Sequence, residues 1–320
     1  MIILHSPHVS VVMPVYNAER TLADAVHSIL NQTVSNLELI VCNDASTDHT
    51  RSILENISDR RLKVIHNHIN LGPGLSRDKA IEAARGKSIA VIDADDAWVP
   101  ERLEIMLRVA GSSQAIMVFD DILECHDTPS GMMPWRSLRG KKAFGGGGKG
   151  PVDVPAEKYL CSKRFLIKPV IPSEYLKKYH VKHSRIRFAE DTEYFLELMS
   201  KGIQLKYVPY PLYLYRITPG SATAQKNRAD SMLQVLENAL DKFINAPAAH
   251  SALLGKINQV CREKHYMLFI QSLKNKDLRN TLSLAAKSPW VLSELIRRLG
   301  YDFAYHADRM RHGGTMRGKE

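Results

Sequence analysis

A doubly wound, mostly parallel α/β sheet followed by a helical carboxyl-terminal region is the fold this sequence predicts. Three observations predict it. Short uncharged runs rich in branched residues recur at nearly even intervals through the first 120 residues. Each is followed by a stretch with apolar residues at helical spacing. From about residue 222 onward the pattern is helical throughout. Strand–helix alternation of this kind implies parallel strands with helices on both faces.

In order, residues 8–13 form the first expected strand and residues 18–32 the first helix. Leu22, Ala25, Val26, Ile29 and Leu30 lie on one face of that helix, with Asn17 as its N-cap. Residues 37–42 make the second strand, 47–57 the second helix and 62–66 the third strand. Residues 75–85 make a third helix ended by Gly86, and 88–92 the fourth strand. Pro100 opens a helix over 100–110, and residues 116–119 close the series. Residues 141–150 (KKAFGGGGKG) are a flexible loop by composition. A helix is expected over 189–199, then two short strands, 205–208 and 212–215. Met232, Val235, Leu236, Ala239, Leu240 and Phe243 repeat helically, and 309–320 read as a loose tail.

The chain has 320 residues, with 44% hydrophobic and 24% charged, which predicts a packed core rather than disorder. Cys42, Cys125, Cys161 and Cys261 are far apart and form no CxxC pair, so a disulfide framework or zinc site is not expected. The start of the chain has no basic, apolar signal-peptide pattern, and no run approaches the roughly 18 apolar residues of a membrane span. A soluble, cytoplasmic chain is the expectation. Charge is uneven: residues 1–125 hold 11 Lys/Arg and 17 Asp/Glu, and residues 126–320 hold 33 and 17. The basic half can be a solvated surface or can face anionic lipid, a lipid diphosphate or nucleic acid. No nucleic-acid module or aromatic-interleaved basic motif is present, so a nucleic-acid partner is not expected.

Chemistry is carried at the strand ends. Asp93-Ala94-Asp95-Asp96 follows a buried strand, where three crowded carboxylates repel one another. A divalent cation and a bound polyanion relieve that repulsion, and Mg²⁺ or Mn²⁺ suits oxygen ligands. Pro14 ends the first strand, leaving the backbone after it free to cup a ligand; Tyr16 offers an aromatic face and Asn17 a polar edge. Asp44 can accept from a base or ribose, whereas Ser46, Thr47 and Asp48 suit the start of a helix. Gly72 and Gly74 permit unusual backbone angles, and Arg77 sits in the following first turn, which suits a diphosphate. The Gly-rich loop at 141–150 does not fit a phosphate loop, because Ala143 and Gly150 stand where Gly and Ser/Thr are required. A GxGxxG after the first strand is also absent. His66 and His68 form an HxH pair with no third ligand placed by pattern, and Trp98 and Trp135 are expected to pack, Trp135 with the option of a sugar platform.

Four segments in order, PVYNAE (Pro14–Glu19), NDASTD (Asn43–Asp48), NLGPGLSRDKAIEAARG (Asn70–Gly86) and DADDAWVPERL (Asp93–Leu103), resemble family 2 glycosyltransferases of the GT-A fold. The resemblance is strong over residues 9–125 and weaker to about 224. It implies a GT-A domain over 1–224, with a nucleotide-sugar-binding half (1–125) and an acceptor half (126–224), then helices over 225–320. It implies a nucleotide-sugar donor, UDP-hexose, held by Pro14, Tyr16, Asn17, Glu19, Asp44, Gly72, Arg77, Asp93, Ala94 and Asp95. Tyr16 stacks near the base and Asp44 binds it. Asp95 is the main ligand of a divalent cation, Asp93 turns toward ribose and metal, and Asp96 is their neighbour.

The segment Arg187–Phe195 resembles the family's acceptor-side ED motif, which makes Asp191 the general base and puts Glu190 beside it. Such a base is needed because an acceptor hydroxyl loses its proton as it attacks C1. Tyr213–Ser221 resembles a Y-R-x-H-x-x-S pattern with Thr218 at the histidine position, and it puts Arg216 and Ser221 on the diphosphate side. The wording is similar to bacterial exopolysaccharide enzymes, succinoglycan glucosyltransferases among them. That implies an inverting hexosyltransferase, glucose as the sugar, and a lipid-diphosphate-linked oligosaccharide as acceptor. Peripheral contact with the inner face of the cytoplasmic membrane follows from that acceptor. The alternative is a nucleotide-sugar-binding subunit without turnover.

Overall fold

The computed structural model describes residues 7–128, 131–140, 142–145, 147, 150–162, 165–186, 188–217 and 228–297. Contacts divide the chain into two compact units, Met1–Lys256 and Ile257–Glu320. The first unit opens with β1 (Val9–Val15), α1 (Leu22–Leu30), β2 (Leu37–Asn43), α2 (Thr50–Glu55) and β3 (Leu62–His66). It continues with α3 (Pro73–Glu82), β4 (Ser88–Val91), β5 (Ala97–Trp98) and α4 (Arg102–Ala110). Then follow β6 (Ile116–Thr128), β7 (Gly131–Ser137), β8 (Val152–Val154), α5 (Ala156–Leu160), β9 (Val170–Pro172) and α6 (Ser173–Tyr179). Next come α7 (Glu190–Ser200), β10 (Gln204–Ile217) and α8 (Arg228–Leu240). Beyond these lie α9 (Pro247–Lys274) and α10 (Leu278–Lys287).

The strands form one sheet in the order β3-β2-β1-β4-β9-β6-β10-β5, with β7 on β6 and β8 on β10. The β1–β2, β2–β3, β1–β4 and β6–β10 pairs are parallel. Residues of β1 and β2 are buried throughout, so the sheet's centre is covered on both faces, as parallel sheets require. Met13, Ile29, Leu39, Ala90, Met106 and Val118 belong to a single apolar core.

Several expected boundaries move, each for a local reason. Asn17 does not cap α1: its φ is +50°, its side-chain oxygen accepts from Thr47 N at 2.8 Å, and the helix starts at Leu22 after Thr21. With Thr47 so held, α2 starts only at Thr50, whose N–H is taken by Asp48 Oδ1 at 3.0 Å. α3 begins early, at Pro73, and ends at Glu82 instead of running to Gly86. Its exit is pulled to the sheet, where Arg85 N donates to Glu38 (2.7 Å) and Gly86 N to Ser10 Oγ (2.8 Å). Pro100 precedes α4 rather than opening it, and its carbonyl accepts from Thr33 N.

The largest departures concern the sheet. Residues 116–119 are only the start of β6, which does not lie beside β4: antiparallel β9 comes between them. The two expected strands near 205–215 are one, β10. The prolines at 209 and 211 lack a donor but are absorbed by register shifts around Pro211 rather than ending the strand. Of the expected flexible loop, Ala143–Gly145 form a short 3₁₀ turn and the rest is mostly outside the described residues. The first compact unit also reaches past residue 224, because α8 packs on α7 and Lys242 pairs with Glu197. In the second unit, Tyr266, Phe269 and Val291 form a small core, and Asp277 caps α10. Among the described residues no helix is long and apolar enough to cross a membrane.

Candidate functional site

Parallel pairing brings the carboxyl ends of β1, β2 and β4 to one edge, where open α/β sheets bind ligands. The β1 turn is tied to the β2 turn. Asn17 N donates to Ser46 Oγ, Glu19 N to Asp48 Oδ2, and the Glu19 carboxylate accepts from His49 N and Nδ1. The side chains of Asn17 and Glu19 are thus engaged in holding the turn, while Tyr16 stays half exposed. Pro14 remains within β1, paired with Cys42; only the ladder toward β4 ends before it, at Val12.

Asp44 is buried and its carboxylate is spent inside the protein. Oδ1 accepts from Asn67 Nδ2 and Leu71 N, and Oδ2 from Gly72 N, each at 2.8 Å. It fixes the loop that turns into α3, where Gly72 adopts φ +89° at the N-cap. Gly74 serves differently. It lies inside α3, and a Cβ there would come within 2.9 Å of His183 Cβ. Its lack of a side chain lets the segment before α7 sit against α3.

That approach builds the centre of the site. Arg77 Nη1 donates to Asp191 Oδ1 (2.5 Å) and Nη2 to Asp93 Oδ1 (3.2 Å). Lys168 Nζ donates to Asp93 Oδ2 (2.5 Å) and Asp191 Oδ2 (3.1 Å). Two cations and two carboxylates thus close a ring in which every carboxylate oxygen faces one cation. The cations are 3% and 2% exposed and the carboxylates 31% and 23%, so the acids face the cleft and the bases lie beneath them. Burial alone would push Asp191 up, but Arg77 and Lys168 hold it far below the usual carboxylate range. Burial likewise opposes the charge of Lys168, and Asp191 and Asp93 more than restore it. Glu190, next in the chain, is pushed up to about 7 by burial and by the Asp191 charge.

His183 backs the ring. Its N–H and Nδ1 meet the two oxygens of Asp78 at 2.9 and 2.6 Å, its ring stacks on Tyr194 at 4.1 Å, and Nε2 lies 3.4 Å from Arg77 Nη1. Nδ1 is then the protonated nitrogen, and Nε2 can accept from Arg77.

The rest of the acidic loop divides in two. Among the described residues the Asp95 carboxylate has no ion pair and no hydrogen bond to another residue; burial and Asp93 raise it. Asp96 is fully buried and structural, with Oδ2 at 2.6 Å from the Tyr213 hydroxyl and Oδ1 accepting from Arg216 N at 2.9 Å. Burial, Asp95 and Asp93 push it well up, and it cannot reach a ligand in the cleft. Its expected part in metal binding is thereby corrected. The same holds for Arg216 on the diphosphate side. Its guanidinium is 3% exposed and consumed by Asp95 O (2.8 Å), Asp24 (3.0 Å) and Asp127, so it clamps the acidic loop. Ala94 lends its carbonyl to Thr21 Oγ1 at 2.9 Å. Ser221 and Thr218 lie outside the described residues.

Among the described residues no group of three or more His, Cys, Asp or Glu is arranged to hold a metal, the HxH pair included. His66 Nδ1 lies 3.2 Å from Asn43 Nδ2 instead. Trp98 packs as expected, buried under the Arg102 guanidinium at 4.2 Å, whereas Trp135 is half exposed beside His126 and Arg136. Sequence reasoning missed Lys168, His183 and Asp78. Lys168 had one signal, a lone charge inside the apolar run Phe165–Ile171; Asp78 lay inside the Asn70–Gly86 motif beside Arg77, and His183 had no signal.

The sequence model of Glycosyl transferase family 2 matches residues 10–151. Succinoglycan biosynthesis protein ExoO of Rhizobium meliloti is 26% identical over 315 residues, covering 93% of this chain and 89% of that protein. The Escherichia coli UDP-Glc:alpha-D-GlcNAc-diphosphoundecaprenol beta-1,3-glucosyltransferase WfgD is 41% identical over 101 residues, covering 32% of this chain and 40% of that one. The match to EpsH of Bacillus subtilis covers 37% of that protein, so the chain spans less than half of these last two relatives. The crystal structure of S. aureus TarS 1-349 in complex with UDP-GlcNAc superposes with a TM-score of 0.68 at 17% identity, over 88% of this chain and 81% of that one. Motifs, sheet order and these likenesses agree: residues 10–151 are similar to family 2 glycosyltransferases, and the fold is the GT-A fold that TarS shares.

Proposed function

We propose that the protein is an inverting hexosyltransferase. It moves glucose from UDP-glucose to a hydroxyl of a lipid-diphosphate-linked oligosaccharide in exopolysaccharide assembly. One observation carries the reading: Asp93 of the donor half and Asp191 of the acceptor half meet at a single cleft through shared cations. UDP-GlcNAc in TarS, the donor and acceptor in the name of WfgD, and the succinoglycan assignment of ExoO support the substrate classes. The excess of Lys/Arg after residue 125 supports contact with the anionic inner face of the cytoplasmic membrane, which retention on anionic vesicles that weakens with salt would check.

The residues present fit a divalent cation. Asp95 is a carboxylate with no ion-pair partner among the described residues, raised by its burial, and Asp93 stands beside it. Mg²⁺ is commonly held by one or two carboxylates plus substrate phosphates, and when bound it would supply charge neutralisation of the diphosphate. Arg77 stabilises the negative charge that develops on the leaving diphosphate. Asp191, ionised at all physiological pH, takes the acceptor's proton, and attack from the opposite face inverts C1. Tyr16 offers its ring to the base.

Transfer from UDP-[¹⁴C]glucose to a synthetic lipid-diphosphate GlcNAc acceptor tests this. Asp191→Asn should cut transfer by roughly 10²–10⁴ while UDP still binds. Transfer at the wild-type rate by that variant would remove Asp191 as the base.

A further inference from the structure

We propose that Lys168 is a second diphosphate-binding cation of this site, and that the nucleotide donor draws it off Asp191, freeing that carboxylate to take the acceptor's proton. The proposal rests on the nucleotide-sugar reading above. Lys168 stands just before β9. Because β9 runs antiparallel to β4, with Ala90 opposite Val170, Lys168 falls beside the end of β4 and so beside Asp93. The backbone there is pinned: the Arg102 guanidinium, bidentate to Asp120 in a fully buried pair, also donates to the Lys168 carbonyl. A fixed backbone thus carries a charged head on a flexible stem.

A buried lysine is costly, and an apolar residue in this run would commonly be as stable or more so. The charge therefore calls for a use. Among the described residues, the hydrogen-bond partners of its ammonium are the two carboxylates that face the cleft. Arg77 carries the same two partners and keeps a buried donor, Nε, that has no partner among the described residues. The ring is charge-balanced as it stands, two cations against two anions. A diphosphate brings more charge and more acceptor oxygens than a carboxylate, so it competes well for both cations. Losing Lys168 leaves Asp191 Oδ2 without a cation. In the transfer step the acceptor oxygen bonds to C1 as the bond from C1 to the diphosphate oxygen breaks. The electron pair leaves on that phosphate oxygen, beside Lys168 and Arg77, and the acceptor's proton passes to Asp191.

Calorimetric titration with UDP and with uridine, at fixed salt and Mg²⁺, tests the exchange in wild type, Asp191→Asn and the double variant Asp191→Asn/Lys168→Met. The double variant loses one charge of each sign, so no buried charge is stranded. Asp191→Asn should tighten UDP binding severalfold, because Lys168 no longer has to leave that carboxylate. Adding Lys168→Met should weaken UDP by ~tenfold or more and uridine by less than about twofold. An unchanged UDP-to-uridine ratio between the two variants, or no gain in UDP affinity from Asp191→Asn, overturns the proposal. Failure of the wild type to bind either ligand would instead overturn the nucleotide-sugar reading.

Discussion

Replacing Glu190 by Gln probes the electrostatics of the cleft most directly. The side chain is largely buried and stands next to an aspartate held ionised, so its own ionisation is opposed: from an ordinary 4.5 it is pushed to about 7. At about 1.4 kcal/mol per unit, that shift corresponds to ~3 kcal/mol. Sharing of charge with Asp191 and partial access to water reduce the net effect to about 1–2 kcal/mol. The sign follows from linkage. A carboxyl raised in the folded state favours folding below the unfolded value, and that contribution is lost as the pH climbs through 7. Glu190 therefore makes the wild type lose stability between about pH 5 and pH 8. Glutamine keeps the shape and removes the ionisation. Urea unfolding of both proteins at the two pH values, followed by tryptophan fluorescence, gives the comparison. The variant should gain on the wild type by about 1–2 kcal/mol on going from pH 5 to pH 8. A difference that stays constant across that range would show that Glu190 ionises normally and that the charge balance drawn for the ring is wrong.

Two other substitutions separate binding from scaffolding. Asp44→Ala strips the acceptor from Leu71 N, Gly72 N and Asn67 Nδ2, and should cost about 2–4 kcal/mol in urea unfolding; unchanged stability would return that carboxylate to the nucleotide base. Asp95→Asn should abolish the extra thermal stabilisation that Mg²⁺ adds to UDP, worth ~2.7 kcal/mol at 100-fold excess over Kd, while leaving uridine binding intact, and retention of the Mg²⁺ effect would exclude Asp95 as its ligand.

The parts of the fold that local pattern controls were legible before any coordinates. Strands β1 to β4 and helices α1, α2 and α4 follow from runs of branched residues and helical spacing, because each puts apolar residues into the same core, whereas α3 buries Ser76, Arg77 and Asp78. Strand β9 was not legible: with three residues, Val170–Pro172, it has no period to detect, and its place between β4 and β6 is set by tertiary pairing. The motifs located the cleft but not the duties within it. Asp96 and Arg216 look like ligands in a motif, yet Asp96 is spent on Arg216 N and the Tyr213 hydroxyl, and the Arg216 guanidinium on the Asp95 carbonyl, Asp24 and Asp127. Lys168 and Asp78 find their partners 75 and 105 residues away, a separation over which sequence alone carries no signal.

The antiparallel strand β9 has a mechanical consequence. It pairs with β4 over three residues on one side and with β6 at Val118–Val170 on the other, so β4 and β6 belong to one continuous sheet. Swinging β4 and β6 apart as rigid leaves would break that pairing, which disfavours a hinge through the middle of the sheet. On the function proposed above, the loops above the edge would govern access while the sheet beneath keeps its spacing. Amide protons of Ile89, Ala90, Val118 and Val170 should then be among the slowest in the chain to exchange with deuterated solvent.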